Sequence, residues 1–199
     1  MTEDEAIAWA EARFEPTVVD RLHRFSRMVA DENERQNLIS PATTSSIWSR
    51  HIVDSLQLLG MAPNSGAWLD IGTGGGFPGL ALAIAGRSPM TLAEPRRKRA
   101  EFLRNVADDL GCGQVIVFGG KVERLTETAS VISARAVASI ENLLRAAAHC
   151  ATQQTRWLLP RGSIDRDELA DVASRHRLLF HVEQSVTSDD SSIVILEAR

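Results

Sequence analysis

The chain has 199 residues, 44% of them hydrophobic and 24% charged, with a net charge of −4. That length suits one buried α/β core, and the apolar content excludes a disordered chain. The negative balance excludes a protein that holds nucleic acid through overall positive charge, so any such contact must be local.

The N-terminus, Met1 to Glu5, is acidic where a secretory signal is basic, and the longest apolar run, Leu80 to Ala85, is far too short to cross a bilayer. A cytoplasmic protein with no membrane contact is expected. Cys112 and Cys150 have neither CxxC spacing nor a nearby His at ligand spacing, so both read as packing residues and no metal site or disulfide framework is expected.

In chain order, apolar residues from Pro16 recur at Val18, Leu22, Phe25 and Val29, which puts them on one helical face. Thr44 to Gly60 repeats the pattern through Trp48, Ile52, Leu56 and Leu59 and predicts a second helix. Residues 1–62 thus form a helical segment packed on the rest of the chain, and 63–199 the main domain, the two making one structural unit. From Gly66 the rhythm changes to short apolar runs alternating with helix-length segments. Strands are predicted at Ala67–Ile71, Met90–Ala93, Val115–Phe118, Val131–Ala134 and Arg156–Leu159. Helices are predicted at Pro78–Ala85, Arg96–Leu110, Ile140–Ala151 and Asp165–His176. Such alternation implies a mostly parallel sheet with helices on both faces. Leu178–Val182 and Ser192–Leu196, joined by the turn-rich Thr187 to Ser191, predict a closing antiparallel hairpin. The fold class is therefore α/β, Rossmann-like and seven-stranded, with an N-terminal helical segment.

Asp70-Ile71-Gly72-Thr73-Gly74-Gly75-Gly76-Phe77-Pro78-Gly79 falls where the first strand meets its helix, the place at which open α/β sheets bind ligands. Five glycines in eight positions let a ligand lie against bare backbone; a plain tight turn needs one or two. Gly74, Gly76 and Gly79 also satisfy the dinucleotide pattern GxGxxG, so a nicotinamide cofactor competes with S-adenosylmethionine. Asp70 favours the latter, because a carboxylate repels a pyrophosphate and suits the cationic amino group of a methionine moiety; its alternative is a helix-capping carboxylate. Glu94 ends the second strand, where an acid accepts ribose hydroxyls from either cofactor. Glu123, after the third strand, is either an acceptor near the adenine or a solvated helix-start glutamate.

With these residues in place the chain resembles the bacterial small-subunit ribosomal RNA methyltransferase G family, also called glucose-inhibited division protein B. The resemblance runs from about Asn37 to Gly162. It is carried by Asn37-Leu38, the block Arg50-His51-Ile52-Val53-Asp54-Ser55-Leu56, the loop Asp70 to Gly79, Lys98-Arg99 with Phe102-Leu103, Val122-Glu123, and Ser133-Ala134-Arg135-Ala136. Gly75 stands for a usual Pro, Phe77 for a Leu, Gln36 for a Tyr, and Arg161-Gly162 for a Lys-Gly. The resemblance implies an S-adenosylmethionine-dependent methyltransferase fold and methylation of guanine N7 in 16S rRNA of the small ribosomal subunit. It also implies cofactor contacts at Gly72, Phe77, Val122, Glu123 and Arg135 and a ribose acid at Glu94, to which the loop adds Asp70, Gly74 and Gly76. A small-molecule or protein methyltransferase and a nicotinamide-dependent oxidoreductase are the competing functions.

Guanine N7 carries a free lone pair at neutral pH, so no general base is expected, and Arg135 is a candidate for positioning the substrate. Arg135 would meet a phosphate or the guanine edge, or else pair with Glu94 or Glu123. Arg50, His51, Arg96, Arg97 and Arg161 are the candidates for contact with RNA. Arg50 and Asp54, at i and i+4, share a helical face and are expected to pair; His51 is either an RNA-stacking or a packing residue. Nothing demands a dimer, and a monomer is expected.

Overall fold

The computed structural model describes residues 1–62, 66–135 and 138–199. The expected boundary at residue 63 and Ala136 of the Ser-Ala-Arg-Ala stretch lie outside the described residues.

The chain opens with a helix that the apolar spacing does not announce, α1 (Glu3–Glu11). Its signal is a capping box: Thr2 Oγ1 accepts from Glu5 N–H, Glu5 accepts from Thr2 N–H, and the first turn is acidic. Helix α2 (Pro16–Gln36) starts at a proline, buries Val19, Leu22, Phe25 and Val29, and ends at Asn37 in the left-handed region (φ 50°).

The single helix expected over Thr44–Gly60 is instead a mixture. A 3₁₀ turn (Pro41–Ser46) leads into a π turn (Trp48–Ile52), the short α3 (Val53–Leu56) and another 3₁₀ turn (Gln57–Met61). The cause is side-chain competition for the backbone. The Glu3 carboxylate takes the Trp48 and Ser49 amides at 3.0 and 2.8 Å, and Ser55 Oγ donates to the His51 carbonyl. Of the apolar stripe Trp48, Ile52 and Leu56 are buried and Leu59 partly so, but the ladder around them is widened at the π turn and tightened at the 3₁₀ turns.

Seven strands then form one sheet: β1 (Trp68–Ile71), β2 (Met90–Ala93), β3 (Val115–Phe118), β4 (Val131–Ala134), β5 (Arg156–Arg161), β6 (Leu178–Gln184) and β7 (Ser192–Ala198). Their order is β3-β2-β1-β4-β5-β7-β6; the first five run parallel, and β7 lies antiparallel between β5 and β6. The order reverses between β1 and β4, and a crevice opens there beyond the carboxyl ends of the strands.

Helices α4 (Gly79–Ala85) and α5 (Arg97–Asp109) cover one face. The N-terminal segment completes that layer: Leu22, Phe25, Ile52 and Leu56 share one apolar cluster with Leu80, Leu82 and Leu103. On the other face α6 (Ile140–Ala147) and α7 (Arg166–Arg175) pack Leu143, Leu144, Leu169 and Val172 against Ile132, Leu159 and Val194. Both cysteines are buried in these layers. Helix α6 stops earlier than its apolar pattern suggests, the rest of the stretch being a 3₁₀ turn at Ala148–Cys150.

Candidate active site

The loop from Gly72 to Pro78 joins β1 to α4, with Gly72, Gly74 and Gly76 at φ 69°, 59° and 100°, a region that L side chains rarely enter. Its shape is held from both sides. Below it, Asp70 is fully buried: Oδ2 accepts the Gly79 N–H at 3.0 Å, and Oδ1 accepts the Ser133 hydroxyl at 2.6 Å, which is itself held by Trp68 Nε1 at 2.9 Å. Burial raises the Asp70 pKa, opposed by its bonds to Ser133, Thr73 and Gly79. At Gly79 a Cβ would lie 2.7 Å from the Asp70 carboxylate, so glycine is required there.

Above the loop, Glu94 follows β2 and is 3% exposed. Its two oxygens accept the Gly74 and Arg96 amides at 3.0 and 2.9 Å, leaving one lone pair on each for a ligand. Gly72, Gly74, Phe77, Glu94, Val122, Glu123 and Arg135 together line a cleft of about 610 Å³ over the switch point. Leu38, just past α2, and Arg99 of α5 join the lining; both stand in blocks that carry the family resemblance but neither is among the expected site residues, and the Arg99 guanidinium donates to the Asn37 carbonyl.

Two loop assignments change. Asp70 is not among the residues that line the cleft: both its oxygens are bonded under the loop, so its bonds match the helix-capping alternative, at the start of α4. Gly76 is buried too, where a Cβ would lie 2.7 Å from Phe25 Cζ, so it is glycine for packing and not for ligand approach. Gly74 differs: a Cβ there meets nothing closer than 3.7 Å and would protrude into the cleft.

Arg135 follows β4 and its side chain is 19% exposed. It pairs with neither Glu94 nor Glu123; Nη1 donates to the Arg50 carbonyl at 3.1 Å and meets Asp54 Oδ2 at 3.4 Å, and the guanidinium lies 5.4 Å from the Phe77 ring centre. Nη2 donates to His51 Nδ1 at 2.7 Å. The His51 proton must then reside on Nε2, which donates to Thr43 Oγ1 at 2.8 Å. The expected Arg50–Asp54 pair does not form because Arg135, remote in sequence, takes the carboxylate.

His51 is 9% exposed, with its ring 5.1 Å from that of Phe77, an environment that matches the packing alternative and leaves it little open surface. Burial, then the charges of Arg135 and Arg50, lower its pKa from 6.5 to about 3. The unfolded chain thus takes up a proton near pH 6.5 that the native protein refuses until about pH 3, so stability is full above that window and falls through it on acidification. Urea unfolding should show His51 contributing a loss on the order of 2–3 kcal/mol by about pH 4. His51→Gln should flatten the profile by that amount; an unchanged slope would refute the buried neutral ring.

Of the basic candidates, Arg96 lines the cleft, whereas Arg97 is exposed outside it and lies 3.5 Å from Glu101. Arg50 and Arg161 line a second, adjoining cavity.

Bare glycine backbone beside a strand-end carboxylate fits a ligand with a compact polar end and a ribose. Fold and site together define a Rossmann-like α/β protein with a cleft for a ribose-bearing ligand at its switch point. A methyltransferase structure from Methanococcus maripaludis, described as putatively S-adenosylmethionine-dependent, aligns with a TM-score of 0.62 at 11% identity, over 87% of this chain and 91% of that one. MtNAS in complex with S-adenosylmethionine aligns at 0.61 and 16% identity, over 88% and 73%. The chain belongs to the GidB family, rRNA small subunit methyltransferase G, whose model matches residues 19–193. Proteins named ribosomal RNA small subunit methyltransferase G from Erythrobacter litoralis and Rhizorhabdus wittichii are 41% and 42% identical to it. These alignments span 100% and 98% of this chain and 97% and 92% of theirs. Family membership excludes the nicotinamide-dependent alternative.

Proposed function

We propose that the protein transfers a methyl group from S-adenosylmethionine to N7 of a guanine in 16S rRNA of the small ribosomal subunit, working in the cytoplasm as a monomer without a metal. The observation that carries the reading is the cleft beyond β1, β2 and β4, in which glycine backbone, the Glu94 carboxylate and the Arg135 guanidinium share one space. The cofactor supplies, when bound, an electrophilic methyl carbon on a sulfonium centre.

The chain's own residues would then divide the task. Glu94 holds the ribose hydroxyls through its two free lone pairs; Gly72 and Gly74 give backbone to the methionine end; Val122 and Glu123 border the adenine end. Leu38, Phe77 and Leu143 line the same space with apolar surface and exclude water. Attack by the N7 lone pair removes no proton, so alignment is the main requirement, an effect that can supply about 7–11 kcal/mol. No helix of the described residues is long and apolar enough to cross a membrane, and among them no group of His, Cys, Asp and Glu is arranged to hold a metal.

The test is to map N7-methylguanine in 16S rRNA from cells with and without the gene. The modification should vanish in the deletion, return with the intact gene and stay absent with a Glu94→Ala copy. Persistence in the deletion would overturn the substrate assignment.

A further inference from the structure

A second cavity, of about 340 Å³, adjoins the cofactor cleft, and Arg135 lines both. Its floor is the carboxyl end of β5, where Arg161 and Gly162 lie, and its outer wall is Thr43, Arg50 and Asp54 from the N-terminal segment.

The charges around this cavity do not balance. Three arginines, Arg50, Arg135 and Arg161, face one carboxylate, Asp54. That carboxylate is already engaged: Oδ1 accepts from Gln57, Ser185 and Thr187 at 3.1, 3.3 and 3.2 Å, and Oδ2 faces Arg135. His51, also in the lining, is neutral. Among the described residues neither Arg50 nor Arg161 has a carboxylate partner; the Arg161 guanidinium donates to the Ala138 carbonyl at 3.2 Å. Arg161 is also partly withdrawn from solvent, and burial lowers its pKa. A half-buried cation without a counter-charge costs stability, and a site that keeps one is matched to an incoming anion. Gly162 leaves its backbone open beside it, with nothing nearer to a Cβ than the Asp190 carbonyl at 4.0 Å.

We infer that this second cavity receives a backbone phosphate of the RNA next to the target guanine, gripped by Arg161 and Arg50, with Arg135 as the wall shared with the cofactor. The inference rests on the proposed methyl transfer to rRNA and assigns the N-terminal segment a part in it: that segment supplies the outer wall of the acceptor side. A guanidinium suits a phosphodiester because it can donate two parallel hydrogen bonds to it.

The experiment measures methyl transfer by the full chain to small subunits from cells lacking the gene, at several salt concentrations, alongside calorimetry with S-adenosylmethionine. Arg161→Gln and Arg50→Gln should each raise the KM for the subunit by ~10-fold and reduce the log–log salt slope by about one, leaving cofactor affinity unchanged. Arg161→Lys should recover the slope but only part of the KM, because it keeps the charge and loses the fork. Arg87→Gln, an exposed change before β2 at the opposite end of the sheet, sets the baseline. If Arg161→Gln matches Arg87→Gln in KM and slope, or if its cofactor affinity falls in parallel, the phosphate assignment is overturned. Wild-type protein that binds the cofactor but methylates no subunit RNA would instead sink the rRNA methyltransferase function itself, and this cavity's role with it.

Discussion

Gly74→Val is expected to lower affinity for S-adenosylmethionine by more than about 100-fold while the protein stays folded. The backbone there has φ 59°, which a β-branched residue adopts only under strain, at roughly 1–2 kcal/mol. The stability cost stops near that figure, because the nearest atoms to a new Cβ are the Gly72 carbonyl at 3.7 Å and Arg99 Nη1 at 3.8 Å. The remaining atoms of valine enter the cleft. Gly76→Val, two residues on, makes the control: its Cβ would lie 2.7 Å from Phe25 inside the core, so that variant should fail to fold. Calorimetry with the cofactor and thermal unfolding distinguish the two, and unchanged affinity in Gly74→Val would show that the loop does not hold the cofactor.

The second large effect is expected at Arg135, whose guanidinium joins Arg50, His51, Asp54 and Phe77. Arg135→Met keeps much of the apolar length but leaves the Asp54 carboxylate, 13% exposed, without its cation. Loss of one partner from a mostly buried pair costs about 3 kcal/mol or somewhat more. Since the same side chain separates the two cavities, kcat/KM for RNA should fall by about 100-fold or more, roughly 2.7 kcal/mol of transition-state stabilisation. Denaturant unfolding and single-turnover methyl transfer measure both. A variant with normal stability would show that the Asp54 pairing carries no energy, and one with normal turnover would remove Arg135 from the site.

Several features are legible in the chain because they depend on neighbours in sequence. The alternation of short apolar runs with amphipathic segments predicts β2, β3 and β4 residue for residue, and the glycine loop marks the strand-to-helix turn that the cleft is built on. The acid ending β2 is identified by its position alone, and the structure puts it against that loop. The capping box that starts α1 is equally local, but it has no apolar period, so periodicity does not find that helix.

The role of each polar group in the site follows a different rule. Asp70 has the same strand-end placement whether it faces a ligand or caps a helix; what settles it is Ser133 on the neighbouring strand, 63 positions away, and the nearness of Gly79. Gly74 and Gly76 look alike in sequence, and only the position of Phe25 makes one a packing glycine and the other a surface of the cleft. The i, i+4 spacing of Arg50 and Asp54 invites a local pair, yet the carboxylate bonds Arg135, 81 residues on.

The sequence by itself therefore determined the α/β class, the glycine loop, the acid that ends β2 and the family. Periodicity and turn chemistry are local, and the resemblance is carried by short contiguous blocks. Tertiary structure alone decided that β7 lies inside β6, that Thr44 to Gly60 is not one regular helix, and that three arginines from distant segments meet at one cavity. The physical reason is that hydrogen bonds and ion pairs act over a few ångströms, and which groups come within that range is set by the packing of the layers.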